Sequence, residues 1–138
     1  MNKTSGALAA VSIAVVAAMT LLSPPSSAAG SAASFTSAQA AAGAKTFAGK
    51  CAQCHGAKLE GVSAPALKGA SLTSTGQNTG ELFKFITEQM PAGNPGSLSK
   101  PEYVNVMAFL LQQNGTPAGS KPLSYAAALA SHAAVGKK

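Results

Sequence analysis

Apolar positions recur at helical spacing in three segments of the chain, each introduced by a residue that can cap a helix. In the first segment Thr36 is the N-cap, Gln39 completes a capping box, and Phe35 occupies the staple position before the cap. This pattern predicts a helix from about Ser37 to Gly49 with Phe47 on its buried face.

The second helical segment precedes a loop that is rich in proline and glycine. Thr79 is its predicted cap, Gln89 is its last residue, and its broad apolar face is formed by Leu82, Phe83, Phe85 and Ile86. The helix cannot continue into the sequence MPAGNPG at residues 90–96, because proline lacks a backbone donor and restricts the residue before it. A tight, ordered loop is therefore predicted there.

The third helical segment is the most clearly delimited of the three. Ser99 is its predicted cap, Pro101 lies in its first turn, and Glu102 completes a second capping box. Asn114 and Gly115 are expected to end this helix. Its buried stripe is formed by Tyr103, Val106, Met107 and Leu110.

The remaining segments carry neither a β-strand pattern nor an internal repeat. Residues 56–79 are predicted to be loop, because glycine, proline, serine and threonine dominate them. The pattern therefore predicts one all-α domain over residues 36–115. A C-terminal extension follows at residues 116–138, with a weakly amphipathic, alanine-rich segment from Ser124 to Val135.

The chain begins with the layout of a secretory signal peptide. One positive charge, Lys3, precedes a charge-free apolar run from Ala7 to Leu22, and small residues follow. Cleavage after Ala29 is favoured over the alternatives Ala28 and Ala33, which makes residues 1–29 the signal peptide and residues 30–35 a flexible lead-in. The run is shorter than the ~20 residues that span a bilayer, so an uncleaved anchor is disfavoured and no transmembrane segment is expected after processing. The expected location is the periplasm.

The amino-acid composition limits which partners the protein can be expected to bind and what kind of hydrophobic core it can form. Alanine supplies much of the 46% hydrophobic content and there is no tryptophan, so the core is expected to be thin and a large apolar cofactor would help to fill it. The chain has ten lysines against four glutamates and no arginine, so nucleic acid is not the expected partner. The lysine excess fits an acidic protein partner, and solubility alone explains it equally well.

The motif Cys51-Ala52-Gln53-Cys54-His55 is the signature of c-type haem attachment. Two thiols three positions apart on a turn can form thioethers with the two vinyl groups of a porphyrin. His55, next in the chain, is then placed to bind the iron. Both thiols are consumed in this way, so an exported protein is left with no free pair for a disulfide.

Two other readings of the cysteine pair are disfavoured. A thioredoxin-like redox pair normally follows a strand, and no strand is predicted before Cys51. A zinc site needs four ligands, and the chain offers only two cysteines, the adjacent His55 and the distant His132.

Three residues are candidates for the opposite face of the iron. Met107 lies on a buried helical stripe, where methionine usually fills the core, and His132 lies among alanines in the tail. Met90 ends a helix and opens a stiff loop that can present its sulfur at little entropic cost, so Met90 is favoured. Histidine–methionine ligation closes both axial positions, which favours electron transfer over peroxidase or oxygen chemistry.

Nearly everything from Phe35 to Gly115 resembles class I cytochromes c. The similar segments are TSAQAAAGAKTFAGKCAQCHG, SAPALKG and FITEQMPAGNPGSLSKPEYVNVMAFLLQQNG. The last segment is especially similar to haem domains and small cytochrome subunits that accompany bacterial quinoprotein alcohol dehydrogenases. The resemblance implies an all-α class I cytochrome c fold, with three main helices packed around one covalent haem c.

The resemblance also implies residue roles. Cys51 and Cys54 would be the thioether residues, and His55 and Met90 the proximal and distal iron ligands. The carbonyl of Pro65 would accept a hydrogen bond from the proximal histidine, and Leu67 would pack on the haem. The first and last helices would cross, with Gly43 and Phe47 meeting Tyr103 and Met107.

The expected function is that of an electron carrier, not an enzyme. It would pass one electron from a dehydrogenase, membrane-associated or with a quinone cofactor, to an oxidase or another cytochrome. An apolar haem edge would dock on an acidic partner, ringed by lysines such as Lys50, Lys58, Lys68 and Lys84. Two alternatives remain: a cytochrome subunit of a multi-subunit quinoprotein dehydrogenase, and a haem sensor or small catalyst with an open iron.

Overall fold

The computed structural model describes Met1 and residues 33–136, and within them the chain is helical. The six helices of this part are α1 (Ser37–Lys50), α2 (Ala52–His55), α3 (Ala70–Thr73), α4 (Thr79–Gln89), α5 (Lys100–Gln113) and α6 (Tyr125–Leu129). Its only β pairing is an isolated antiparallel bridge between Asn78 and Ala134. The all-α prediction is confirmed. Apart from Met1, the predicted signal peptide lies outside the described residues, and so do the first residues of the lead-in.

Both predicted capping boxes are present. The Gln39 backbone donates to the Thr36 hydroxyl over 3.2 Å, and the Thr36 backbone donates to the Gln39 side chain over 3.1 Å. At α5, the Ser99 backbone donates to Glu102 over 2.8 Å. These reciprocal bonds satisfy backbone donors that have no partner inside the helix, which explains why α1 and α5 begin where the sequence predicts.

The α5 capping box makes stability depend on pH. Hydrogen bonds from the side chain and then the backbone of Ser99 hold the pKa of Glu102 below its ordinary value, with a smaller contribution from the charge of Lys50. A carboxyl whose pKa is lower in the folded state contributes stability above its unfolded pKa, and that stability is lost as the pH falls through the folded value.

We therefore expect Glu102→Gln to flatten the acid limb of the stability profile, because glutamine keeps the cap but cannot titrate. Urea unfolding from pH 7 to about pH 3 measures this, since an unperturbed glutamate titrates near pH 4.3. Glu88→Gln, which changes an exposed glutamate in α4, is the control. Identical slopes for Glu102→Gln and the wild type would contradict the prediction.

Tertiary contacts alter two of the predicted element boundaries. Asn78, not Thr79, caps α4: its side chain accepts from the Glu81 backbone over 3.0 Å. Thr79 is instead the first helical residue, and its buried hydroxyl donates to the Ala133 carbonyl in the tail over 3.0 Å. The predicted loop over residues 56–79 also contains the single turn α3, whose Leu72 is fully buried.

Helices α1 and α5 cross in close contact at Gly43. A Cβ atom there would overlap the backbone carbonyl of Asn105 and lie 2.9 Å from the Phe109 Cβ. Phe47, one turn further on, packs against Phe109 with ring centroids 5.2 Å apart. The crossing is as the resemblance implies, but the residues that meet Gly43 are Asn105 and Phe109. Tyr103 and Met107, the expected partners, lie on a different row of α5.

Gly43→Ala is expected to destabilise the fold by about 1–3 kcal/mol, because the two backbones must separate to admit a methyl group. Gly49→Ala, in the same helix, is the matched control, since nothing lies within 4 Å of a Cβ at that position. The control should be neutral or stabilising by up to about 1 kcal/mol through helix propensity. Chemical denaturation measures both values, and equal effects would refute the role given to this contact.

The C-terminal extension packs on the domain. The Gln39 amide donates to the Leu123 carbonyl over 2.8 Å and accepts from the Leu123 backbone over 2.9 Å. The Gly80 backbone donates to the Ser131 carbonyl over 2.8 Å. The buried residues of the extension are Leu123, Ala128, Ala133 and Val135. The predicted amphipathic segment is helical only in α6. Two carbonyls of the non-helical residues that follow, those of Ser131 and Ala133, accept hydrogen bonds from the first turn of α4. None of the helices in the described part of the chain has the length and apolarity to span a bilayer.

Candidate functional site

A cavity of about 520 Å³ opens between the Cys51–His55 turn, the loop that follows it, α4 and the loop at residues 90–96, which begins at Met90 and is called the Met90 loop below. This volume lies within the ~300–1,000 Å³ range of cofactor sites. Its apolar walls include Phe47, Leu67, Leu72, Leu82, Phe85, Ile86, Val106 and Leu110. All six residues predicted for the site line this one cavity: Cys51, Cys54, His55, Pro65, Leu67 and Met90.

A single helical turn presents the cysteine–histidine motif to the cavity. The Cys51 carbonyl accepts from the Cys54 backbone over 3.1 Å and from the His55 backbone over 3.0 Å, which closes the turn α2. Cys51 is half-buried, Cys54 is exposed, and both thiols are free. His55 is buried. The two sulfurs and the imidazole are therefore held together by local backbone geometry.

The acidity of Cys51 disfavours a thiol–disulfide catalyst. Burial, with a smaller contribution from the nearby Cys54, raises the pKa of the Cys51 thiol to about 11. Redox-active cysteine pairs have a nucleophilic thiol whose pKa is lowered. The Cys51 thiol is instead protonated at neutral pH and is a weak nucleophile.

His55 has a defined tautomer. Its Nδ1 lies 2.8 Å from the Pro65 carbonyl oxygen. Because a carbonyl can only accept, Nδ1 carries the proton, and Nε2 keeps the lone pair that a metal ion requires. The hydrogen bond also fixes the orientation of the ring plane.

The loop after α2 is folded back so that Pro65 reaches His55. The Cys54 carbonyl accepts from three successive backbone amides, those of residues 62–64, over 3.0, 3.1 and 3.1 Å. The Gly61 backbone donates to the His55 carbonyl over 2.8 Å. Gly61 has φ of +80°, and a Cβ there would lie 2.8 Å from the Ala64 carbonyl oxygen. Only glycine allows this tight reversal without strain.

The three candidates for the second axial position occupy different environments. Met90 is the C-cap of α4, is half-buried and lines the cavity. Met107 is fully buried in the hydrophobic core and is not among the residues that line the cavity. His132 is exposed on the tail. Only Met90 combines a donor atom with a place in the cavity wall.

The residues of this cavity fit a haem. An imidazole with a free Nε2 and a thioether are a suitable pair of axial donors, and two free thiols stand beside them. The walls are otherwise largely apolar, as a porphyrin requires. Among the described residues no cluster of three or more histidine, cysteine or carboxylate side chains offers a site for a bare metal ion.

Two residues that the sequence did not assign to the site support its walls: Tyr103 in α5, and Asn114, the C-cap of that helix. The Tyr103 hydroxyl donates to the Met90 carbonyl over 2.7 Å. The Asn114 side chain donates to the Leu67 carbonyl over 3.1 Å and accepts from the Gly69 backbone over 2.9 Å. The sequence indicated a role for these two residues only through their polarity, because a phenol or amide that is removed from water needs a hydrogen-bond partner. The partners themselves are distant in sequence.

Charged residues at the cavity are few. Of the four lysines expected around its mouth, Lys50 lines the cavity. Lys58, Lys68 and Lys84 are exposed but are not among its lining residues. Two of the exposed large apolar side chains lie in or beside the cavity wall: Phe85, which belongs to the wall, is 38% exposed, and Val62, in the loop beside Cys54, is 72% exposed.

A family profile described as "Cytochrome C oxidase, cbb3-type, subunit III" matches residues 38–110, more than half of the chain. The chain belongs to this cytochrome c family. Membership implies haem c with its iron as the cofactor and electron transfer as the class of function. With the helical structure, it establishes the class I cytochrome c fold. The matched region contains the cysteine–histidine motif, Pro65 and Met90, and it excludes the C-terminal extension.

The cytochrome is also similar to a solved structure, the sulfane dehydrogenase SoxCD from Paracoccus pantotrophus. The identity is 31% and the TM-score is 0.50, with 63% of this chain and 49% of the other chain covered. The cytochrome thus spans about half the length of the chain it matches. A search of curated proteins found no significant match.

Proposed function

We propose that this cytochrome is an exported carrier of single electrons, with one haem attached through Cys51 and Cys54. His55 and Met90 would bind the iron from opposite sides. The observation that supports this most strongly is the single cavity lined by all of these residues. A pair of thiols, an oriented imidazole and the thioether sulfur of a methionine, all at one largely apolar site, match the requirements of haem c and of no other common cofactor.

Each residue has a definite task in this proposal. The Pro65 carbonyl holds His55 in the tautomer that can bind iron, and the loop that follows α4 presents Met90. The apolar walls would exclude water from the bound haem. A site of low polarity favours the reduced form of the iron, because that form carries less charge. Haem, when bound, supplies reversible one-electron exchange. If His55 and Met90 both bind the iron, no coordination site would be left open for a substrate, which favours electron transfer over catalysis.

The proposed location is the periplasm, on the basis of the signal-peptide pattern at residues 1–29. The proposed partners are redox proteins: a dehydrogenase as donor, and an oxidase or second cytochrome as acceptor. The formal net charge of +6 favours an acidic docking surface on the partner. Phe85 and Val62 give the cavity side an exposed apolar component.

A second candidate is a cytochrome subunit that works only inside a dehydrogenase complex. The observation in its favour is the similarity to SoxCD, which is a sulfane dehydrogenase. Purification from the native host separates the two: a monomer whose electron transfer slows sharply with added salt is a free carrier, and co-purification with a large catalytic subunit indicates a complex.

The test of the proposed function is the intact mass and visible spectrum of the protein matured in its native host. The expected mass is that of the processed chain plus one haem, and the reduced spectrum should be that of a low-spin c-type cytochrome. A high-spin ferric spectrum with ready carbon monoxide binding would instead indicate a sensor or catalyst with an open iron. Free or disulfide-linked thiols without added haem would refute the proposal.

A further inference from the structure

The Met90 loop is attached to the rest of the protein at few points. Residues 92–97 are exposed, so the loop has little packing of its own. At its start, the Met90 backbone donates to the Ile86 carbonyl over 3.1 Å as the last bond of α4. The Met90 carbonyl accepts two further hydrogen bonds: one from the Gly96 backbone within the loop, over 3.4 Å, and a shorter one from the Tyr103 hydroxyl, over 2.7 Å. Only the bond from Tyr103 comes from outside the loop.

Tyr103 is well suited to anchor this carbonyl. Its side chain is only 3% exposed, and it belongs to α5, in which seven of the fourteen residues are buried. Helix α5 is in turn held against α1 by the close crossing at Gly43. A hydroxyl on a side chain packed in this way has one position, and at 2.7 Å its bond to Met90 is at the usual length for a hydroxyl donor. The core is thereby connected to the first residue of the loop.

We propose that Tyr103 is a positioning residue that holds Met90 at the depth required for its sulfur to bind iron. The inference rests on the proposed role of Met90 as axial ligand. Tyr103 does not touch the iron. It restricts the backbone that carries the ligand, so the thioether binds without first having to be ordered.

The consequence can be measured as competition for the iron. An exogenous ligand such as imidazole must displace Met90 from ferric iron, so its apparent affinity reports how firmly Met90 is held. A neutral hydrogen bond stabilises its pair by about 0.5–1.5 kcal/mol, which corresponds to a roughly 2- to 12-fold change in an equilibrium constant. Tyr103→Phe should tighten imidazole binding by a factor in this range.

The experiment uses the haem-loaded protein with Tyr103→Phe and, as matched control, Tyr125→Phe. Tyr125 is the other tyrosine of the chain, packs edge-on against Phe83 and lines no part of the cavity. Imidazole titration of the ferric protein is accompanied by the intensity of the thioether–iron charge-transfer band and the reduction potential. We expect Tyr103→Phe to tighten imidazole binding, weaken the band and lower the potential, while Tyr125→Phe matches the wild type.

A second pair of variants separates positioning from a general loss of stability. In the Met90→Ala background there is no sulfur left to position, so adding Tyr103→Phe should leave the imidazole affinity unchanged. An equal tightening with and without Met90 would overturn the inference, as would a wild-type affinity and band in Tyr103→Phe. A wild-type protein that carries haem but lacks the thioether band would remove Met90 itself from the ligand set, and a chain without haem would overturn the proposed function.

Discussion

Replacing both cysteines, Cys51→Ala with Cys54→Ala, is expected to abolish covalent haem and to leave a largely unfolded chain. The reason is the cavity of about 520 Å³ at the centre of the site. Its walls are leucine, isoleucine, valine and phenylalanine side chains that need an apolar neighbour, and a core rich in alanine has little other apolar area to offset their exposure. Intact mass and far-ultraviolet circular dichroism measure the two effects.

Gln53→Ala is the matched control for the cysteine variants. Gln53 lies between the two cysteines, lines the same cavity and is exposed. It should leave haem attachment and helix content unchanged. A double cysteine variant that is fully helical and melts cooperatively without haem would contradict the prediction, because the apolar walls would then be stable by themselves.

Met90→Ala is expected to lower the reduction potential and to open the iron to external ligands while both thioether bonds remain. A thioether favours reduced iron, so its loss stabilises the oxidised state. Potentiometric titration measures the potential, and carbon monoxide binding to the reduced protein measures access to the iron. The covalent haem should still be present in the intact mass.

Met107→Ala is the control for the ligand assignment. Met107 is fully buried in the core and lines no part of the cavity, so its truncation should cost about 2–5 kcal/mol of stability with the thioether band retained. If Met107→Ala removes the band and Met90→Ala does not, the proposed distal ligand is wrong.

The attachment turn could be read from the sequence because its geometry is local. One helical turn brings together residues three and four positions apart, so the spacing of Cys51, Cys54 and His55 already determines that they share a side. The capping boxes at Thr36 and Ser99 are local in the same sense. The structure confirms both boxes.

Contacts between segments that are distant in sequence were harder to predict. The sequence predicts Thr79 as the N-cap of α4, but in the structure Asn78 is the cap. The Thr79 hydroxyl donates instead to the carbonyl of Ala133 in the tail, a contact that the sequence pattern does not indicate. The partners of Gly43 were wrong for a related reason: helical spacing selects a buried stripe on α5, but the angle at which two helices cross selects the row within it. The sequence of the tail shows no strong pattern of buried and exposed positions, because an alanine that packs against another segment cannot be distinguished by residue type from an exposed alanine.

The sequence by itself determined the class of fold, the cysteine–histidine turn and a short set of candidate ligands, because capping and turn geometry act over a few residues. The family resemblance implied the hydrogen bond between His55 and Pro65, which the structure shows. Only the tertiary structure decided that Met90 alone of the three candidate ligands lines the cavity, and that its carbonyl accepts a hydrogen bond from Tyr103. These pairings join segments far apart in the chain, and their free energy depends on packing that no local pattern specifies.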